Sequence, residues 1–143
     1  MYLLSSYSAD IIDEVLGFFK ANILFRNFAI QSDADRLLTY GILYVSACLN
    51  KLVKKNKQEG TALITGMGLE QNFVLPGDPK FPLGGHVSKP ASSQEADAIR
   101  QFLAQFRVEI GVRLLEKVYA RDAGQADKWW MCFQKRKFAN MEL

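Results

Sequence analysis

Asp33-Ala34-Asp35-Arg36-Leu37-Leu38-Thr39-Tyr40-Gly41-Ile42-Leu43-Tyr44-Val45-Ser46-Ala47-Cys48-Leu49-Asn50-Lys51-Leu52 is the stretch whose reading decides the fold. Leu38, Ile42, Val45, Leu49 and Leu52 recur at helical spacing and form one apolar stripe. Leu37, Tyr40, Tyr44 and Cys48 form a second stripe beside it, leaving a narrow polar strip at Thr39, Ser46 and Asn50. A helix that is apolar on most sides is buried on most sides, so this segment is predicted to be the central helix of the molecule. Ser32-Asp33-Ala34-Asp35 resembles a capping box with Asp in the usual Glu position. Lys51, Lys54, Lys55 and Lys57 are expected to close the helix against the negative end of its dipole.

Outward from this helix the pattern stays helical. Asp10 is the expected N-cap of a preceding helix on which Ile12, Leu16, Phe19 and Ile23 share a face, running to about Leu24 or Phe25. Downstream, Ser92 with Glu95 three residues on opens a long helix just after Pro90. Its core face is Ile99, Leu103, Phe106, Ile110, Leu114 and Val118, and Glu109 and Arg113 are spaced for an ion pair. Gly111 in mid-helix costs about 1 kcal/mol against Ala, which points to a close crossing or a bend. Gly124 separates a last helix with Asp127 as N-cap, its inner side made of Trp130, Phe133, Met141 and the stem of Lys137.

Residues 58–91 differ: Gly60, Gly66, Gly68, Pro76, Gly77, Pro79, Pro82, Gly84, Gly85 and Pro90 argue against long regular elements, with at most a short helix at Thr61 to Ile64. Phe73, Val74, Leu75, Phe81 and Leu83 are too many large apolar groups for a free linker, so this loop is expected to lie packed on the helices. The fold class is therefore all-α: a single-domain bundle spanning 1–143, a central helix surrounded by the others, plus a long Pro/Gly-rich packed loop.

At 143 residues such a chain buries roughly two-thirds of its unfolded surface. A net charge of +3 is modest, outside the profile of a dedicated nucleic-acid binder. No stretch approaches the ~20 apolar residues of a membrane helix, and Met1 to Ser6 lack the basic region of a signal peptide. Cys48 and Cys132 both fall in apolar helical patterns and read as reduced core thiols of a cytosolic protein.

Catalytic constellations are not found. His86 is the one histidine, and no Cys or Asp stands at ligand spacing from it. Gly66-Met67-Gly68 lacks the third glycine of a dinucleotide fingerprint, and Gly60 and Gly66 are wrongly spaced for a phosphate loop. Asp13-Glu14 and Asp33-Asp35 sit at helix starts, where capping accounts for them. No catalytic, cofactor-binding or metal-ligating residue is assigned. Lys128-Trp129-Trp130-Met131-Cys132-Phe133-Gln134-Lys135-Arg136-Lys137-Phe138 mixes aromatic and cationic groups. It reads as core aromatics with a basic outer face, or as a surface that meets an acidic protein.

Five segments, in order and with fitting spacing, carry a family resemblance. They are Asp10-Ile11-Ile12-Asp13-Glu14 with Phe18 to Asn22; Asp33 to Leu37 with Leu43-Tyr44; Pro76-Gly77-Asp78-Pro79 with Phe81-Pro82-Leu83; Gly111 to Val118; and Lys128 to Phe138. The chain resembles subunit 3 of the actin-related protein 2/3 complex, which nucleates branched actin filaments. That resemblance implies an all-helical fold, no catalysis, no cofactor, and a cytoplasmic place at the actin cytoskeleton. It implies actin-related protein 3 and the other subunits as partners, contact with the mother actin filament, and neither nucleic acid nor membrane insertion. Only Met1 to Ala9 precede Asp10, a shorter N-terminal segment than the family carries. The alternatives are a truncated relative that does not assemble and a small basic helical nucleic-acid-binding protein. The expected partner-facing residues are Pro76, Phe81 and Pro82 of the loop, and Lys128, Trp129, Lys135, Arg136 and Lys137 of the last helix.

Overall fold

The burial of the second helix organises the molecule. In a computed structural model that describes residues 11–17, 19, 33–76, 78–81, 83 and 89–134, every residue from 38 to 45 is buried. Ile42, Tyr44, Val45, Cys48, Leu49 and Leu52 are fully so. Eight consecutive buried residues exceed two helical turns, so this helix is covered all round, as its two apolar stripes demand. The strip predicted as polar is only partly so: Thr39 is fully buried, Ser46 half-buried and Asn50 exposed.

The elements in chain order are α1 (residues 11–17, with residue 19 also helical), α2 (Asp33–Lys51), α3 (Lys57–Leu69), α4 (Ser93–Val118) and α5 (Lys128–Met131). All regular structure among the described residues is helical. The expected cap at Asp10, the end of the first helix near Leu24, Ser32 of the capping box, and His86 lie outside the described residues.

Around α2 each neighbour has a specific seat. From α1 comes Val15, at Gly41, where a Cβ would stand 2.6 Å from one of its methyl groups. Phe106 of α4 packs beside Tyr40, ring centroids 6.4 Å apart, and Phe81 of the loop stacks on the same Tyr40 at 6.1 Å. α3 contacts both α2 and α4. Arg113 of α4 donates to Asp13 of α1 at 2.9 Å and pairs with Glu109 at 3.7 Å, the spacing predicted for the i,i+4 pair.

α3 is the main correction to the sequence reading. Thirteen residues are helical where only a short turn at Thr61 to Ile64 was expected. Asn56 explains the start: its side chain accepts from the Glu59 N–H at 2.8 Å while the Glu59 carboxylate accepts from the Asn56 N–H at 3.3 Å. The glycines are contact points rather than breaks. Gly60 lies against Tyr119, Ile64 against Gly111, and Gly68 against Val108, so α3 runs antiparallel to α4 with the backbones close. A Cβ at Gly111 would sit 2.7 Å from Ile64, which settles the mid-helix glycine as a close crossing.

The lysine run divides accordingly. Lys51 alone lies in the last turn of α2, Lys57 begins α3 where the dipole disfavours a cation, and Lys54 forms the turn between them at φ 59°. α4 opens at the expected cap, with Ser92 Oγ accepting from Glu95 N–H at 3.1 Å. The expected capping box is only half formed, because the Glu95 carboxylate accepts from Ala91 N–H at 3.1 Å in place of Ser92 N–H. Its core face is confirmed, Leu103, Phe106, Ile110, Leu114 and Val118 being buried and Ile99 half-buried. The Pro/Gly-rich loop is packed as predicted: Phe81 and Leu83 are buried, and Phe73, Val74 and Leu75 half-buried.

Candidate functional site

α5 is short but firmly placed. Asp127 caps it, its carboxylate accepting from Trp129 N–H at 2.8 Å and pairing with Arg121 at 3.5 Å. The Asp127 N–H donates to Val118 O at 2.9 Å, tying the cap to the end of α4. The adjacent tryptophans then point apart. Trp130 is buried and stacks on Phe19 of α1 with centroids 6.0 Å apart, and Phe133 meets Phe19 edge-on at 6.3 Å. Trp129 is 55% exposed, the Lys128 ammonium 5.4 Å from its ring centre. Trp129 thus leaves an aromatic ring half in water beside a cation.

The other expected interface residues separate. Pro76 and Phe81 are buried within the chain, because Phe81 closes the ring stack over Tyr40 while turns at Asp78 fold the loop inward. These two therefore hold the loop to the core, leaving Asp78, Pro79 and Lys80 exposed at its tip. Pro82, Lys135, Arg136 and Lys137 lie outside the described residues. Cys132, expected in the core, is exposed, its thiol 3.5 Å from the Trp129 carbonyl, because the helical turn that buries Trp130 carries position 132 outward.

A second cluster was not anticipated. Arg107, 5% exposed, lies between two rings, its guanidinium 4.7 Å from the centre of Tyr44 and 4.5 Å from Phe73. A long 3.5 Å contact runs to the Tyr40 hydroxyl, and Nε has no hydrogen-bond partner among the described residues. Arg100 faces Phe73 at 5.7 Å and donates to Gln71 O at 2.6 Å, so two arginines of α4 clamp the segment after α3. The signal was present in the spacing: Arg107 falls on the core stripe of Leu103, Ile110 and Leu114. The Tyr40 and Tyr44 hydroxyls are both raised above their ordinary range, chiefly by burial. Burial pushes the Cys48 thiol up to about 12, which keeps it protonated and unreactive at neutral pH.

Arg107 therefore acts by stacking and filling space rather than as half of an ion pair. Arg107→Met, of similar length and apolar, is expected to leave stability within about 1.5 kcal/mol of the parent. Arg107→Ala, which opens a gap between the rings, should cost about 2 kcal/mol or more. Urea unfolding of the two variants checks the contrast, and equal losses would refute it.

Among the described residues no group of three or more His, Cys, Asp or Glu is placed to hold a metal ion. None of the described helices is long and apolar enough to cross a membrane. Comparison with known proteins agrees with the fold. A family model described as P21-Arc, the ARP2/3 complex ARPC3 (21 kDa) subunit, matches residues 2–143. The chain is 50% identical to actin-related protein 2/3 complex subunit 3 of Dictyostelium discoideum over 136 residues, covering 95% of this chain and 78% of that protein. It is 45% identical to the same subunit of Schizosaccharomyces pombe over 134 residues, covering 94% and 76%. Against the Saccharomyces cerevisiae subunit it is 40% identical over 143 residues, covering 97% and 80%.

Proposed function

Because the chain belongs to the family of actin-related protein 2/3 complex subunit 3, we propose that it serves as a non-catalytic structural subunit of that complex, supporting nucleation of branched actin filaments. Its partners are actin-related protein 3 and the other subunits, its further contact is with the mother actin filament, and its place is the cytoplasmic actin cytoskeleton. The observation that carries the reading is the family match along residues 2–143. The buried side chains most open to chemistry fit a scaffold: the Cys48 thiol is held protonated, and Arg107 is occupied by two aromatic rings.

Within the chain, Lys128 and Trp129 are the proposed partner-facing residues of α5, continued by Lys135, Arg136 and Lys137. Trp129 is more than half exposed while its neighbour Trp130 anchors the helix, so replacing Trp129 tests contact without emptying the core. Trp129→Ala combined with Lys128→Glu is expected to weaken incorporation by about thirtyfold, the effect of losing one anchor residue worth about 2 kcal/mol. Tagged chain is expressed in its native cell, the lysate is run on a sizing column, and fractions are blotted for actin-related protein 3. Co-elution of the parent chain in one large assembly supports the subunit reading. Elution alone near its own 16.2 kDa overturns it. Undiminished incorporation of the double variant overturns the α5 assignment alone.

A further inference from the structure

Arg107 is an unfavourable choice for the place it occupies. It is buried, it pairs with no carboxylate among the described residues, and its Nε makes no hydrogen bond there. An apolar side chain of the same length avoids both costs. What the guanidinium adds is geometry, because one flat charged group meets three partners at once. Its faces cover Phe73 at 4.5 Å and Tyr44 at 4.7 Å, and Nη1 reaches the Tyr40 hydroxyl at 3.5 Å.

Two of those partners lead to opposite ends of one loop. Phe73 opens it, and Tyr40 stacks on Phe81, which closes it, with centroids 6.1 Å apart. Arg100 adds a second hold on the opening end, over Phe73 at 5.7 Å and on Gln71 O at 2.6 Å. Between the two ends the chain folds into tight turns. Asp78 N–H donates to Leu75 O at 3.0 Å, Phe81 N–H to Asp78 O at 2.9 Å, and Lys80 N–H to the Asp78 carboxylate at 2.8 Å. Asp78, Pro79 and Lys80 are exposed at the tip, and Lys80 forms no ion pair among the described residues.

Taking the chain as a subunit of the complex, we propose that this tip is a preshaped contact for a neighbouring subunit and that Arg107 is the positioning residue that fixes its shape. Lys80 meets a carboxylate of the neighbour, and Pro79 lies on an apolar shelf beside it. A loop already held in its bound shape gives up little conformational freedom on docking, so a small tip adds usefully to binding. The unsatisfied guanidinium at the root of the loop is what holds both of its ends to one point on α4.

Amide hydrogen exchange and incorporation test the two parts. In the purified full chain, Arg107→Met keeps the fold but should make the Asp78, Lys80 and Phe81 amides exchange about tenfold faster, with Ile110 of α4 unchanged, as read by NMR. In the native cell each tagged variant competes with untagged parent, and its share of the large assembly is read by the sizing-column blot. Lys80→Glu should lower that share about tenfold while its turn amides exchange as in the parent, and Arg107→Met should lower it about fivefold. Because Arg107 acts through the tip, the double variant should fall no further than Lys80→Glu alone. Unchanged exchange in Arg107→Met overturns the positioning role, and an undiminished share for Lys80→Glu overturns the contact. Losses that multiply in the double variant overturn the link between them. A tagged parent chain absent from the large assembly overturns the subunit reading and the contact with it, and is recognised because parent and variants are then absent alike.

Discussion

Phe106→Ala should lower the unfolding free energy by about 3–5 kcal/mol, the usual cost of emptying a well-packed aromatic site. Phe106 is fully buried at the centre of the bundle, with Tyr40 of α2 at 6.4 Å and Phe102 at 6.2 Å between ring centroids. Its Cζ would also stand 3.4 Å from a Cβ at Gly41 of α2, the position against which Val15 of α1 packs. No single neighbour can collapse into the space without dragging a helix with it. A typical domain of this size is stable by about 5–15 kcal/mol, so about a fifth or more of the total is at stake. Urea unfolding followed by circular dichroism measures it, with Phe106→Leu as a milder comparison. A loss below about 1 kcal/mol would mean that the centre of the bundle repacks freely.

Gly41→Leu should be as damaging, for the opposite reason. The Val15 methyl groups would stand 2.6 and 3.1 Å from a Cβ at this position, before any further atoms are added. Val15 is itself fully buried, so it has nowhere to retreat and α1 must lift off α2. A cost above about 3 kcal/mol corresponds to a drop in melting temperature of roughly 10 °C. Gly41→Ala separates the two contributions, because about 1 kcal/mol of improved helix propensity offsets part of its clash. In the cell the leucine variant should also reduce the amount of subunit found in the assembled complex, read by the sizing-column blot. A melting temperature within about 2 °C of the parent would show that α1 is more loosely seated than its contacts imply.

Much of the bundle was legible because long helices announce themselves by period. The two stripes of α2 and the single stripe of α4 were read correctly from spacing alone, as were Ser92 and Asp127, while the spacing left Gly111 open between a crossing and a bend. α3 was read as at most a short helix at Thr61 to Ile64 because its inward face is built from Gly60, Ile64 and Gly68. Apolar periodicity weighs side chains, and a helix that packs by its absence of side chains gives almost no such signal. The Asn56–Glu59 capping box was the readable clue, hidden by the density of glycine just beyond it. At the candidate site, the spacing from the Asp127 cap put Trp130 on the inner side and left Trp129 outside, and Trp130 is buried while Trp129 is 55% exposed. Which of two adjacent residues turns inward depends on where Asp127 starts the helix, and a shift of one position would exchange them. Arg107 escaped notice because charge was read as exposure, whereas its place on the core stripe marked it as enclosed.

The stack of Phe19 on Trp130 joins the first described helix to the last. On the ribosome these rings emerge more than a hundred positions apart, which at about 5–20 residues per second is a delay of roughly 5–20 s. Throughout that interval Phe19 is without one of its covers, and the nascent chain presents a greasy face to whatever is nearby. The core is thus completed only once Trp130 has been translated, and a message cut short before it yields a product for the quality-control machinery rather than a partly useful scaffold.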